Sequence, residues 1–166
     1  SEMTDKTFIN DEMVQQYHEE GYFTVAGLFS ADEVEGVRHE ITKIVESHPP
    51  VKSGLVQAEP TVAEGQDAPE SAELGVRKLA KMAIQNDFFH DLAFHPGMVE
   101  IATTLLGPDV NLFQSMSLLK PPRIGGAKMW HQDNAYFRQT PNDVFGFWVA
   151  CDDTRVENGC MHVIPG

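Results

Sequence analysis

Basic residues, cysteines and long apolar runs are all scarce in this sequence of 166 residues. Lys and Arg number 12 against 25 Asp and Glu, a formal charge of −13 with neutral histidines. That balance disfavours the broad phosphate neutralisation that nucleic-acid binding requires, so no nucleic-acid partner is expected. No apolar run approaches the roughly 20 residues that span a bilayer, and no membrane partner is expected either. The start Ser1-Glu2-Met3-Thr4-Asp5 lacks the basic and apolar regions of a secretory signal, and Ser1-Glu2 ahead of Met3 reads as an added scar. Cys151 and Cys160 are too few for a disulfide framework, and their nine-residue spacing matches no usual zinc pair. They read as buried free thiols suited to a reducing compartment, and the expected location is cytoplasmic.

The 42% of hydrophobic residues is enough to bury a core, and their spacing divides the chain into a helical half and a β half. Apolar residues recur at helical intervals over 11–17 (Met13, Val14, Tyr17) and 30–45 (Val34, Val37, Ile41, Ile44, Val45). Ser30 followed by Glu33 is a capping-box signature for the second helix. Between them Gly21-Tyr22-Phe23-Thr24-Val25 reads as a strand. Residues 49–73 lose periodicity and collect Pro, Gly and acidic residues, which predicts a mobile loop, either a lid or a disordered insertion. Helical spacing returns over 79–84, 88–92 and 98–106. After Pro108 the pattern turns to β, with strands expected at 110–120, 145–151 and 160–164 and a turn at Glu157-Asn158-Gly159. Helices first and strands second is an α+β order, divided at about residue 107.

His131-Gln132-Asp133 carries the chemistry. On a strand, side chains two apart point to one face, so an imidazole nitrogen and a carboxylate oxygen are offered together. They are two of the three ligands of a 2-His-1-carboxylate facial triad, which leaves metal positions open for a chelating co-substrate and O2. Alone, the tripeptide is a weak signal. Its surroundings sharpen it: Gln114-Ser115-Met116-Ser117-Leu118-Leu119-Lys120-Pro121-Pro122, Trp130-His131-Gln132-Asp133, Tyr136-Phe137, Trp148 followed by Asp152-Asp153-Thr154, and Glu157-Asn158-Gly159-Cys160 running into Ile164-Pro165-Gly166. In order and spacing these segments resemble the phytanoyl-CoA dioxygenase family, as do Glu20-Gly21-Tyr22 and Leu28-Phe29-Ser30 near the start. The resemblance covers nearly the whole chain apart from 49–73.

The resemblance implies N-terminal helices packed on a double-stranded β-helix, or jelly-roll, with residues 1–166 forming the N-terminal and central part of one oxygenase domain. It implies Fe(II) as metal, 2-oxoglutarate as co-substrate and O2, and hydroxylation of a small-molecule or acyl-CoA-type substrate with release of succinate and CO2. His131 and Asp133 match the first histidine and the aspartate of the iron triad. Lys78, Met116 and Trp148 match positions lining the 2-oxoglutarate pocket, Gln132 lies between the ligands, and Gln114 stands where a polar pocket residue is expected. Asp133 also favours hydroxylation over halogenation, because related halogenases carry a small residue there. Trp148 reads equally well as core, Lys78 with Arg77 and Lys81 as a solvated helix face, and Met116 as packing.

The family's second histidine and its 2-oxoglutarate-binding arginine have no counterpart before Gly166, so the later strands are expected to be missing and the chain inactive by itself. His162, only 29 residues after Asp133, falls too early for the distal ligand. A rival reading is a non-catalytic jelly-roll binding module whose incomplete triad is real. A cupin-like metalloenzyme without 2-oxoglutarate would need extra histidines near His131, and none is present. The acidic charge inclines the substrate toward a small polar metabolite over CoA phosphates, and nothing fixes its identity or the oligomeric state.

Overall fold

The computed structural model describes residues 7–166, and the Ser1–Asp5 start on which the scar and signal readings rest lies outside the described residues. Helix α1 (Asp11–Glu20) begins where the Asn10 side chain accepts from the Met13 amide, and stops at Gly21, left-handed at φ 83°. Helix α2 (Ala31–Ser47) has the expected capping box: the Glu33 amide donates to Ser30 Oγ at 3.2 Å and the Ser30 amide to Glu33 Oε2 at 2.7 Å. Its Val37, Ile41, Ile44 and Val45 recur at three- and four-residue intervals on one buried face.

That face packs on a three-stranded antiparallel sheet of β1 (Val56–Ala58), β2 (Val76–Ala80) and β3 (Met116–Leu118), in the order β1-β2-β3. Val56 stands opposite Leu79, and both join Val76, the α2 residues, Met82 and Phe89 in one core. Short helices α3 (Pro60–Ala63), α4 (Met82–Gln85) and α5 (Asp87–Ala93) and the longer α6 (Pro96–Leu106) fill the flanks. Gly36 on α2 admits the Phe88 ring, which stands 3.0 Å from where a Cβ would be. At the start of α6, His95 Nδ1 accepts from the Gly97 amide at 3.1 Å, and its Nε2 lies 3.5 Å from Glu33 Oε1 on α2.

Several sequence expectations give way here. Residues 49–73 are not a structureless loop: they contain β1 and α3, and Val56 and Ala58 are buried. A three-residue strand is too short for alternation to register, and one buried ladder partner outweighs the local composition. The spacing over 79–84 belongs to the end of β2 and the start of α4, separated by Lys81 at φ 57°, so Leu79 and Met82 are buried from two elements. Lys78 accordingly lies on a strand and not on a helix face. Residues 21–25 have no ladder partner, and Tyr17 meets Phe23 edge-on across the α1 terminus. Of 110–120 only Met116–Leu118 pairs, while 145–151 and 160–164 carry no strand ladder. The turn at Glu157-Asn158-Gly159 is present as a 3-10 turn over Val156–Asn158 ending on Gly159 at φ 84°.

The segment after α6 is tied back to the helical half at discrete points. Arg38 of α2 donates through Nε to the Cys151 carbonyl at 2.7 Å and pairs with Asp152 Oδ1 at 2.9 Å. Leu119 and Cys151 pack against the core, and Tyr17 meets Phe145 edge-on. Both cysteines are free and half-buried, and burial pushes the Cys151 thiol up, with Asp152 adding and Arg38 opposing. Many large apolar side chains of this half are open, among them Leu118 at 66% and Met129 at 77% exposure.

Candidate metal centre

His131 and Gln132 lie outside helix and strand, and Asp133 has helical dihedrals (φ −59°, ψ −37°) as the residue before α7 (Asn134–Phe137). The two donors therefore meet by a different route from strand alternation: the chain turns into α7 immediately after His131. His131 Nε2 stands 3.5 Å from Asp133 Oδ1. Tyr136, one helical turn on, meets the His131 ring edge-on at 5.5 Å, and Lys128 Nζ lies 5.5 Å over the Tyr136 ring. Phe137 packs on Phe113 at 4.9 Å and so ties α7 to the stretch that enters β3.

The orientation of the imidazole is set by its other nitrogen. His131 Nδ1 is 2.7 Å from the Met129 carbonyl, which only accepts, so Nδ1 carries the proton and donates. In the neutral ring Nε2 is then a bare lone pair aimed at a carboxylate oxygen. Two such acceptors face each other favourably only with a cation or a proton between them. Ligands about 2.1 Å from one ion stand about 3 Å apart at right angles and about 3.4 Å apart at the tetrahedral angle, so the 3.5 Å separation lies at the wide end of what two ligands of one metal span. A carbonyl holding the far nitrogen is also the usual way a ligating histidine is fixed. Nitrogen with carboxylate oxygen is a donor set that Fe(II) accepts. The pair thus fits two positions of an iron site. Among the described residues no cluster of three or more His, Cys, Asp or Glu could hold a metal ion.

The expected pocket residues fall into two groups. β3 runs antiparallel to β2 with Lys78 opposite Leu118 and Ala80 opposite Met116, so Lys78, Met116 and Leu118 share the sheet face away from Val56, Leu79 and α2. Gln114 joins them, its Nε2 3.6 Å from Met116 Sδ. The second group is His131 with Asp133. The chain passes Asp133 again at Gly146, where a Cβ would lie 4.0 Å from Asp133 Oδ2, and Trp148 follows two residues later, 48% exposed and not core. Gln132 is exposed, and its carbonyl accepts from the Ala135 amide at 3.0 Å. His162 packs edge-on against Trp130 at 6.4 Å, with Cys160 Sγ 3.8 Å from its Nε2. Sequence reasoning missed the Met129 carbonyl, which as backbone leaves no residue-type signal, and Arg38, whose contacts lie 113 residues away.

The α+β architecture with a small antiparallel sheet is similar to that of a solved structure described as "EctD from S. alaskensis with bound Fe". The TM-score is 0.62 at 24% identity, over 80% of this chain and 43% of that one, a likeness of fold. The description of the phytanoyl-CoA dioxygenase family, PhyH, matches residues 17–166, and the chain belongs to that family. Among its relatives are the phytanoyl-CoA dioxygenase domain-containing protein 1 homolog of Caenorhabditis briggsae and phytanoyl-CoA dioxygenase 1 of Oryza sativa subsp. japonica. Both are 26% identical, over 92% and 95% of this chain. A probable alpha-ketoglutarate-dependent hypophosphite dioxygenase of Stutzerimonas stutzeri is also 26% identical, over 93% of the chain. The chain spans 62%, 64% and 52% of the lengths of these three relatives.

Proposed function

We propose that this chain supplies His131 and Asp133 to the Fe(II) site of a 2-oxoglutarate-dependent oxygenase that hydroxylates a small-molecule or acyl-CoA-type substrate and releases succinate and CO2. The observation that carries the reading is His131 Nε2 at 3.5 Å from Asp133 Oδ1, with Nδ1 turned to the Met129 carbonyl at 2.7 Å, an arrangement that a metal ion or a proton completes. When bound, iron supplies O2 activation and redox chemistry that no side chain offers. The chain's own residues orient and shield. Met129 fixes the ring, Tyr136 covers one edge of it, and Asp133 brings the anionic charge that balances the cation. Asp133 also occupies the position that halide would need, which supports hydroxylation.

Lys78, Gln114 and Met116 form the 2-oxoglutarate-facing group in this reading: they gather on the sheet face away from the core, with an ammonium for a carboxylate. Trp148 supplies an apolar wall, and Gln132 a polar edge between the two ligands. In this reading the third ligand and the co-substrate arginine come from outside this chain, which spans 62% and 64% of the lengths of two of its relatives.

The test is succinate formation from 2-oxoglutarate by a longer protein that carries this chain, wild type against Asp133→Ala. Changes one step removed from a metal cost about 10- to 100-fold, so removal of a ligand is expected to exceed that. An Asp133→Ala protein with full turnover overturns the assignment.

A further inference from the structure

Arg38 on α2 reaches a segment 113 residues away with two arms of one guanidinium. Its Nε donates to the Cys151 carbonyl at 2.7 Å, and its Nη2 stands 2.9 Å from Asp152 Oδ1. The remaining nitrogen, Nη1, is 3.3 Å from Glu35 Oε2 on the preceding turn of the same helix. A planar guanidinium offers its donors in a fixed fork, so two neighbouring acceptors on another piece of chain are held in orientation as well as in position. An exposed ion pair alone is worth little, and the Arg38 and Asp152 side chains are 46% and 79% exposed. The bond to the Cys151 carbonyl adds what the ion pair lacks, because it fixes main chain.

That segment has little else to fix it. Residues 145–152 lie outside helix and strand, and among the described residues no backbone-to-backbone hydrogen bond involves them. At one end Phe145 meets Tyr17 edge-on at 6.2 Å, and at the other Cys151 packs on the core that α2 helps to form. Between these anchors lie Gly146, where a Cβ would stand 4.0 Å from Asp133 Oδ2, and Trp148, 48% exposed. Arg38 grips the chain three residues after Trp148, and so joins α2 to the stretch that passes the ligand pair.

We propose that Arg38 is a positioning residue that holds the 145–152 segment to α2 and so sets how Trp148 is presented at the site of Asp133. Its bearing on the co-substrate pocket rests on the function proposed above, whereas its hold on the segment does not. Cys151 reports the hold directly: its thiol is half-buried against the core beside the bonded carbonyl, and Cys160, also half-buried, is a reference in the same chain. Iodoacetamide alkylation, followed at each thiol by peptide mass spectrometry across pH, gives a midpoint that reads charge and a plateau that reads access. The guanidinium favours the thiolate, so its loss as a charge alone raises the midpoint and leaves the plateau, whereas release of the segment raises the plateau.

Arg38→Met is expected to raise the Cys151 plateau about fivefold or more and to leave Cys160 unchanged. Arg38→Lys keeps the charge without the fork; it is expected to raise the plateau about twofold, and takes the place of Arg38→Met if that variant does not fold. Glu35→Gln removes only the contact within α2 and is expected to leave the plateau unchanged. In a longer protein that carries this chain, with turnover read as succinate, Arg38→Met is expected to raise the KM for 2-oxoglutarate about fivefold with kcat within about twofold, whereas a loss of folded protein lowers the apparent kcat and leaves KM alone. An unchanged Cys151 plateau in folded Arg38→Met, or in Arg38→Lys where Arg38→Met is unfolded, overturns the proposal, and so does an equal rise at Cys160. A raised plateau with an unchanged KM overturns the positioning of Trp148. A wild-type protein with no 2-oxoglutarate turnover overturns the proposed function instead, and leaves alkylation to decide the hold.

Discussion

Val56→Ala distinguishes a packed strand from a mobile loop at the place where composition and structure disagree most. Val56 is 1% exposed, opposite Leu79 at 0%, and both belong to the core under α2. The substitution removes two buried carbons, worth about 0.8 kcal/mol each, and leaves a hole that adds roughly 0.5–1 kcal/mol where the neighbours fail to close it. The expected loss is therefore about 2 kcal/mol, a large share of the 5–15 kcal/mol typical of a domain. Urea unfolding followed by tryptophan fluorescence and far-UV dichroism measures it, with the m-value checked for constancy. Leu79→Ala alone is expected to cost about 3 kcal/mol, and the double variant less than the sum, because the two side chains share one cavity. A Val56→Ala loss within about 0.5 kcal/mol, the range of surface substitutions, would refute the packing of β1 and return residues 49–73 to loop status.

Gly97→Ala is expected to destabilise by about 1–3 kcal/mol, read as a lower thermal midpoint, because a Cβ there would strike Leu28 and stand 2.9 Å from the Phe8 ring. Lys81→Gly is expected to stabilise by up to about 1 kcal/mol, since φ 57° costs a side-chain-bearing residue more than glycine. On the acid side, Glu33 is held below its ordinary value by hydrogen bonds from the Ser30 amide and hydroxyl, and Glu40 by those from Asn86 and Lys43. Folded values below unfolded ones give stability that is present above the ordinary carboxylate pKa of 4.5 and lost as pH falls through the depressed values. The urea midpoint should accordingly fall below about pH 4.5, and Glu33→Gln should flatten that limb. Glu59 has the opposite sign: burial raises it, so its contribution is full below the ordinary value and lost as pH rises through the elevated one.

Much of the helical half was legible because its signals are local. The Ser30 and Glu33 box and the periodicity of α2 need only neighbours in sequence to act. β1 and β2 were not legible, since three residues in a Pro- and Gly-rich stretch, two of them buried, become a strand only through Leu79, Lys78 and Val76 opposite. The spacing of Leu79 and Met82 fits a helix as well as a strand followed by a helix, and only the left-handed Lys81 decides between them. Past residue 108 the composition was β-like, yet strands exist through ladders, and 145–151 and 160–164 have none. Of the candidate site, sequence put His131 beside Asp133 by strand alternation, whereas the structure joins them by a turn into α7. The Met129 carbonyl that orients the ring is only two residues away but, as backbone, leaves no residue-type signal.

The most direct test of the iron site is an anaerobic titration of Fe(II) with 2-oxoglutarate into this chain and into a longer protein that carries it, each as wild type and Asp133→Ala. The readout is the visible charge-transfer band of the chelate. The account predicts a band in the longer wild-type protein that Asp133→Ala abolishes. An undiminished band in Asp133→Ala, or no band in any wild-type form, would contradict it.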